Sequence, residues 1–348
     1  MSYFRSNIED LEPYVPGFQP KGGGFIKLNT NENPYPPAPA VFKTLREFDP
    51  ERLRLYPDPV SLRLREKISG TYGFSPDNVI VGNGSDELLA IALRAFAGEG
   101  DLVLYPTPSY SLYGVLARIQ GAEPVEMPLD ADFGLSEEFI NRSGKLKFIA
   151  SPNSPTGTVY SKGLIEEMAG NFDGIIVVDE AYAEFSEENS LELARIYPNL
   201  LVTRTFSKSY SLAGLRVGYT IGSQELIEGM MKIKDSYNLN ILSALLAEAA
   251  LDDQQYFQEK IGLIKAERES LREKLEELNF EVLPSGANFL FCRPPDGSAE
   301  MVFRKLLEKK ILIRFFDTPI LKDYLRITIG TPQEMETLVR ALKEILRT

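Results

Sequence analysis

Between about residues 40 and 223, short, almost unbroken apolar runs alternate with longer mixed segments. Val79-Ile80-Val81, Leu102-Val103-Leu104-Tyr105, Lys147-Phe148-Ile149-Ala150, Ile175-Ile176-Val177-Val178 and Leu200-Leu201-Val202-Thr203 are the clearest of these runs. Each has strand length, and the lack of apolar/polar alternation points to strands covered on both faces. Helical patterns, such as residues 85–97, fall between some of them. The combination predicts an α/β unit built on a largely parallel sheet with helices on both sides. From about residue 224 to residue 278 the pattern turns helical, and residues 264–272 form a charged helix face. The tail mixes helices with strand-like runs near residues 288–292, 311–315 and 325–329, as in a smaller α+β unit.

The N-terminal stretch differs from both. Gly22-Gly23-Gly24 and Asn29-Thr30-Asn31-Glu32-Asn33-Pro34-Tyr35-Pro36-Pro37 read as an extended arm with little core of its own, packed on another domain or subunit. The expected organisation is an arm over 1–39, a large domain over 40–245 and a small domain over 246–348. A chain of 348 residues with 43% hydrophobic content can bury cores for two domains.

Composition mainly excludes. The net charge of −12 works against nucleic-acid or anionic-membrane partners, which require basic faces. No run of eighteen apolar residues occurs, and the first residues lack the basic start and apolar stretch of a signal peptide, so a cytoplasmic location is expected. Cys292 is the only cysteine, which rules out an intrachain disulfide and a thiolate metal cluster and suggests a small core residue. No metal site is expected. The absence of histidine excludes Ser-His-Asp and Cys-His hydrolysis and imidazole bases. Proton transfer must fall to lysine, tyrosine, carboxylates or a cofactor.

Four segments carry candidate chemistry. Gly82-Asn83-Gly84-Ser85-Asp86-Glu87 leaves a strand and opens a helix, so backbone N–H groups can cradle a phosphate; a helix N-cap by Ser85 is the plain alternative. Its Glu87 stands where a dinucleotide fingerprint needs a third glycine, and no Walker A sequence occurs. Ser151-Pro152-Asn153-Ser154-Pro155-Thr156-Gly157 presents Asn153 at a strand's carboxyl end, where open α/β sheets bind ligands. Asp179-Glu180-Ala181-Tyr182 closes another strand. Its Asp179 is either a helix N-cap or an anion able to hold a proton on a heteroaromatic nitrogen.

The fourth segment, Thr205-Phe206-Ser207-Lys208-Ser209-Tyr210-Ser211-Leu212-Ala213-Gly214-Leu215-Arg216-Val217-Gly218-Tyr219, sets one lysine among hydroxyls and a fixed cation. A lysine that forms a Schiff base must be able to shed its proton, and Ser207 with Arg216 suits a phosphate. Taken alone, Lys208 reads equally well as a snorkelling lysine after a buried strand. Together, an amide, a carboxylate, a lysine and a phosphate cup at strand ends match the needs of pyridoxal phosphate.

These motifs, in this order, resemble those of the fold-type I pyridoxal-phosphate-dependent aminotransferases, over nearly the whole chain from about Leu11. Leu28-Asn29-Thr30-Asn31-Glu32-Asn33-Pro34, Arg54-Leu55-Tyr56-Pro57-Asp58 and Leu325-Arg326-Ile327-Thr328-Ile329-Gly330 narrow the resemblance to the branch acting on histidinol phosphate. The resemblance implies a large domain with a mostly parallel seven-stranded sheet between helices, plus a smaller α+β domain. It implies that Lys208 carries pyridoxal 5'-phosphate as a Schiff base and, once freed, moves the proton at the substrate Cα. Asp179 would pair with the pyridinium nitrogen, Asn153 and Tyr182 with the ring oxygen, and Tyr110 would stack on the ring. The cofactor phosphate would meet the backbone at Ser85 and Asp86, the Ser207 hydroxyl, Arg216 and, from the partner subunit of a homodimer with shared sites, Tyr56.

Tyr14, Asn31, Arg314 and Arg326 would face the substrates, with Asn238 also near them. The implied substrates are histidinol phosphate and 2-oxoglutarate, with imidazole-acetol phosphate and glutamate on the other side of a transamination in histidine biosynthesis. A threonine-phosphate decarboxylase and an aromatic-amino-acid aminotransferase remain alternatives on the same scaffold. A DNA-binding regulator would need an extra helix-turn-helix domain and a basic patch, for which the sequence has no room.

Overall fold

The computed structural model describes residues 3–9, 11–12, 17–20 and 22–347. The strands run β1 (Ile26–Lys27), β2 (Val79–Gly82), β3 (Leu102–Thr107), β4 (Glu123–Pro128), β5 (Leu146–Ala150), β6 (Ile175–Asp179), β7 (Leu200–Thr205) and β8 (Gly218–Ile221). They continue with β9 (Glu281–Val282), β10 (Phe289–Arg293), β11 (Ile311–Leu312), β12 (Arg314–Phe315) and β13 (Leu325–Thr328). The helices are α1 (Ser6–Glu9), α2 (Pro39–Glu47), α3 (Leu62–Tyr72), α4 (Ser85–Phe96), α5 (Leu112–Gln120), α6 (Glu137–Asn141) and α7 (Lys162–Asn171), then α8 (Gln224–Met231), α9 (Ile241–Asp252), α10 (Gln254–Glu276), α11 (Ala299–Glu308) and α12 (Pro332–Ile345).

Seven strands form the main sheet in the order β2-β8-β7-β6-β5-β3-β4. Within it β8 alone runs antiparallel to its neighbours, and the pairs from β7 to β4 are parallel. Period-two alternation explains the unbroken apolar runs. Val79, Leu104, Ile149, Val178 and Val202 point into one core with α7, α9 and α10, while Ile80, Val103, Phe148, Val177 and Leu201 point into a second with α4, α5 and α8. Each such side chain, fully buried, contributes about 1.5–3 kcal/mol.

Two strands escape the pattern for physical reasons. The edge strand β4 carries prolines and glutamates, as an edge with one free side permits. Strand β8 begins at Gly218, inside the segment that reads as chemistry, and its side chains are buried throughout.

The C-terminal elements build an antiparallel four-stranded sheet, β12-β13-β10-β9, covered by helices. The strand expected across residues 311–315 divides at Ile313: β11 pairs in parallel with β1 of the N-terminal arm, and β12 pairs with β13. The arm is thereby stitched to the C-terminal elements, with Leu28 N–H donating to the Leu312 carbonyl at 2.7 Å and Thr328 N–H to that of Leu28 at 3.0 Å. Cys292 is buried on β10, and burial pushes its thiol pKa well up, as suits a core residue. Among the described residues no helix is long and apolar enough to cross a membrane.

Candidate active site

The registers bring the key strand ends together. Asp179 lies opposite Ala150 on one side and Thr203 on the other, while Gly218 lies opposite both Gly82 and Thr205. The turns leaving β2, β5, β6 and β7 therefore open from one edge of the sheet, where an α/β fold presents its ligand crevice.

Glycine geometry shapes the first corner. Gly84, not Ser85, is the N-cap of α4, with φ of 85°, and Ser85 is the first helical residue. A Cβ on Gly84 would stand 2.5 Å from the Arg216 guanidinium, and one on Gly218 would stand 2.5 Å from the Ser85 amide nitrogen. Hence only glycines let Arg216 and the N-terminus of α4 close around one space. Arg216 itself is held in the left-handed region, with φ of 52°, a conformation a non-glycine residue adopts at a cost. Its guanidinium donates to Ser207 Oγ at 3.3 Å and to Asp86 Oδ2 at 3.1 Å; Asp86 Oδ1 accepts from the Tyr110 hydroxyl at 3.0 Å. Arginine, a hydroxyl and free helical amides make a cradle for a dianion.

The second corner is Asp179, at the last position of β6. Its Oδ2 accepts from the Tyr113 hydroxyl at 2.8 Å and its Oδ1 from the Ala181 N–H at 3.2 Å. No helix begins here: a short 3-10 turn over Ala183–Phe185 is capped by Tyr182, so Asp179 is not a helix N-cap. Burial pushes its pKa up to about 6, against the pull of the Tyr113 and Ala181 hydrogen bonds, and Asp86 and Glu180 push the same way as burial. Among the described residues no lysine or arginine pairs with it, whereas the adjacent Glu180 takes a two-pronged contact from Arg204, at 2.9 and 2.7 Å. A buried carboxylate without a cation is a site waiting for one.

Lys208 lies just past β7. Its Nζ donates to the Thr30 carbonyl at 2.9 Å and stands 5.7 Å from the Tyr182 ring centroid. Asn33 Nδ2 donates to the backbone carbonyls of Lys208 and Ser209, both at 3.1 Å, so the arm clasps the lysine loop. Asn31 Nδ2 donates to the Tyr182 hydroxyl at 2.9 Å. Asn153 is fully buried: its Nδ2 donates to the Pro108 carbonyl at 3.1 Å and Thr156 Oγ1 at 3.0 Å, while its Oδ1 accepts from Ser109 at 2.7 Å.

The two C-terminal arginines sit side by side. Arg314 and Arg326 are register partners on β12 and β13, and both guanidiniums lie against the Phe316 ring, at 5.1 and 5.6 Å. Arg326 also donates to Ser154 Oγ at 3.0 Å and the Asn29 carbonyl at 2.9 Å, which ties it to the Asn153 turn and the arm. Tyr14 lies outside the described residues. Tyr56 is not gathered into this cluster: it is 80% exposed and stacked on Tyr237 at 4.5 Å. Asn238 bridges the Val81 carbonyl, at 3.1 Å, and Glu87, at 2.8 Å. Among the described residues no group of three or more acidic or cysteine side chains could hold a metal ion.

Sequence reasoning passed over Thr30, Asn33, Tyr113 and Thr328. The amide-rich run 29–33 inside a Gly/Pro-rich arm was a usable signal for the first two. Tyr113 carries no signal that separates it from the other fifteen tyrosines.

The model of the aminotransferase class I and II family matches residues 24–342. A histidinol-phosphate aminotransferase 1 from Trichormus variabilis is 46% identical over 348 residues, covering 99% of both chains. A histidinol-phosphate aminotransferase from Syntrophotalea carbinolica is 47% identical over 346 residues, covering 99% of this chain and 100% of its own. The crystal structure of a histidinol-phosphate aminotransferase from Sinorhizobium meliloti, in complex with pyridoxal-5'-phosphate, superposes with a TM-score of 0.89 at 27% identity, covering 100% of this chain and 98% of that one. With its strand-end lysine, carboxylate and anion cradle in one crevice and these full-length likenesses, the chain belongs to the class I and II aminotransferases.

Proposed function

We propose that this chain is a pyridoxal-phosphate-dependent transaminase that exchanges an amino group between L-histidinol phosphate and 2-oxoglutarate. In the biosynthetic direction glutamate donates and imidazole-acetol phosphate accepts. The observation that carries the cofactor assignment is Asp179, a buried carboxylate with no cation of its own at the edge of the sheet from which Lys208 also emerges. The full-length identity to curated relatives supports the substrate pair.

The residues present fit the cofactor. The glycine-walled cradle of the α4 amides at Ser85 and Asp86, Ser207 and Arg216 suits its phosphate, and Asp179 suits a protonated ring nitrogen, which would supply the missing positive charge. Tyr110 would stack on its ring and Tyr182 would donate to its ring oxygen, joined by Asn153 once its Nδ2 exchanges the Pro108 carbonyl or Thr156 hydroxyl for the cofactor. When bound, pyridoxal phosphate supplies an aromatic electron sink next to the substrate Cα.

The chain's own residues supply the rest. Asp179 keeps the ring nitrogen protonated, and Tyr113 holds that carboxylate in place and ionised. The Lys208 amine takes a proton from the substrate Cα and returns one, a role that histidine cannot fill in a chain without any. The Thr30 carbonyl gives that amine a resting partner when it is free. Arg314 and Arg326 hold the phosphate of one substrate and a carboxylate of the other, and Tyr14 and Asn31 complete the substrate side.

A homodimer with shared sites and a cytoplasmic location belong to the same proposal. Exposed Leu53, Leu55, Tyr56 and Tyr237, at 58, 52, 80 and 47%, support a second copy covering this surface. The single, buried cysteine suits a reducing compartment.

The test is a visible absorbance spectrum of the purified protein with and without histidinol phosphate, beside the Lys208→Ala variant. The wild type should carry a chromophore that the substrate changes, and the variant should not turn over. Carbon dioxide release from threonine phosphate, without glutamate-dependent turnover of imidazole-acetol phosphate, would favour a decarboxylase instead.

A further inference from the structure

The polar contacts around Asn31 form a chain that fixes which way its side-chain amide points. Asn31 is buried, with φ of 56°, a left-handed conformation that asparagine tolerates better than most residues. Its backbone N–H donates to Thr328 Oγ1 at 3.0 Å. The Thr328 hydroxyl then directs its own proton to Asn31 Oδ1, at 3.0 Å. With its oxygen thus engaged, the amide must turn Nδ2 toward Tyr182, and it donates to that hydroxyl at 2.9 Å. A third anchor, Asn288 Nδ2, donates to the Asn31 carbonyl at 3.0 Å. The orientation of the Asn31 amide is therefore fixed by a hydroxyl on β13, far away in the sequence.

We propose that Asn31 and Thr328 are positioning residues that aim the Tyr182 hydroxyl proton at the cofactor ring oxygen. A tyrosine hydroxyl has one proton. Because it accepts from Asn31, its proton stays available for a donor bond on the cofactor side. An inverted amide would present Oδ1, capture that proton, and leave the ring oxygen without its partner. Thr328 lies on β13 two positions after Arg326, so the same strand that presents a substrate arginine also sets the proton of Tyr182. The proposal rests on the assignment of Tyr182 as a donor to the ring oxygen, and the experiment separates the two.

The readout is the pH midpoint of the visible absorbance band of the cofactor-loaded protein without substrate. Loss of a hydrogen bond to the ring oxygen destabilises the deprotonated, oxyanion-bearing form and moves the midpoint up. The ionisable groups around Tyr182 include Lys208, at 5.7 Å from its ring, Tyr113 and its partner Asp179, and Arg326 over the Phe289 ring with which Tyr182 makes a T-shaped contact. All are unchanged in the Thr328 variants. Tyr182→Phe should raise the midpoint by about one pH unit, the scale of one hydrogen bond to a charged group. Thr328→Val, isosteric but without the hydroxyl, should raise it in the same direction, and Thr328→Ser should restore it. The Tyr182→Phe/Thr328→Val double variant should match Tyr182→Phe alone.

If Tyr182→Phe leaves the midpoint unchanged, the Tyr182 assignment falls and the proposal with it. If Tyr182→Phe shifts it but Thr328→Val does not, or if the double variant shifts it further, the proposal alone is overturned. Thr328→Ala removes the same hydroxyl with less bulk and carries the same expectation, should the valine variant fold poorly.

Discussion

Arg314 and Arg326 stand directly opposite each other in the antiparallel pairing of β12 with β13, two like charges where cross-strand neighbours normally attract. Like charges in that position are expected to cost stability in the ligand-free protein, a cost that an anion bound between them would relieve. Replacing Arg314 with Gln should cut kcat/KM for histidinol phosphate by roughly 10- to 100-fold, as expected for loss of a charge-assisted hydrogen bond. The same variant should melt no lower than wild type without substrate. Arg326→Gln should lose as much activity and also some stability, because Arg326 holds Ser154 and the Asn29 carbonyl. Steady-state kinetics beside thermal melts checks both halves; a clear loss of stability in Arg314→Gln contradicts the anion-site account.

Asp179 predicts a pH signature of the cofactor-free protein. Its folded pKa is raised from 3.8 to about 6, mainly by burial. A raised carboxyl pKa means that the folded state holds the proton more tightly than the unfolded chain. This group therefore contributes stability below about pH 4 that fades as pH rises to about 6, a span worth about 3 kcal/mol. In Asp179→Asn that contribution vanishes, so the difference in melting temperature between pH 4.5 and pH 7.5 should move in favour of pH 7.5 relative to wild type. Calorimetry of both cofactor-free proteins measures it. Activity of the variant should fall steeply.

The two cradle glycines should fail differently. Gly84→Ala meets the far end of a flexible arginine, so the protein should fold, lose about 1–3 kcal/mol to a backbone conformation (φ 85°, ψ 167°) open essentially only to glycine, and bind cofactor more weakly as Arg216 is displaced. Gly218→Ala meets the backbone of Ser85 and Gly84, which cannot step aside without moving α4 off β8. It should be poorly soluble or melt far below Gly84→Ala. Soluble yield and cofactor titration of the two variants separate the cases.

How much of this was legible in the sequence depends on whether a contact is local. The buried strands announced themselves, because each presents apolar side chains to two cores, and the strand-end residues Asn153, Asp179 and Lys208 followed from their place beyond those runs. Strand β4 was hidden by its edge position and β8 by its overlap with the Lys208 segment. Gly84 took the capping place offered to Ser85, since the close approach of Arg216 demands a residue without Cβ, and nothing in the local sequence reports that approach. Tyr113 and Thr328 were invisible for the same reason: their partners, Asp179 and Asn31, lie 66 and 297 positions away.

Tyr56 offers a test of shared sites that a single chain cannot pass. It is mostly exposed and stacked on Tyr237, close in sequence to the exposed Leu53 and Leu55. If each site combines Lys208 of one copy with Tyr56 of its partner, Lys208→Ala and Tyr56→Ala homodimers should both be impaired, the first completely. A hybrid dimer collects both defects in one site and leaves the other intact. After subunit exchange of equal amounts, half the dimers are hybrids, and about a quarter of wild-type activity should return above the average of the two unmixed variants. Activity that stays at that average after exchange, with hybrids detected by differently tagged copies, rejects the shared site.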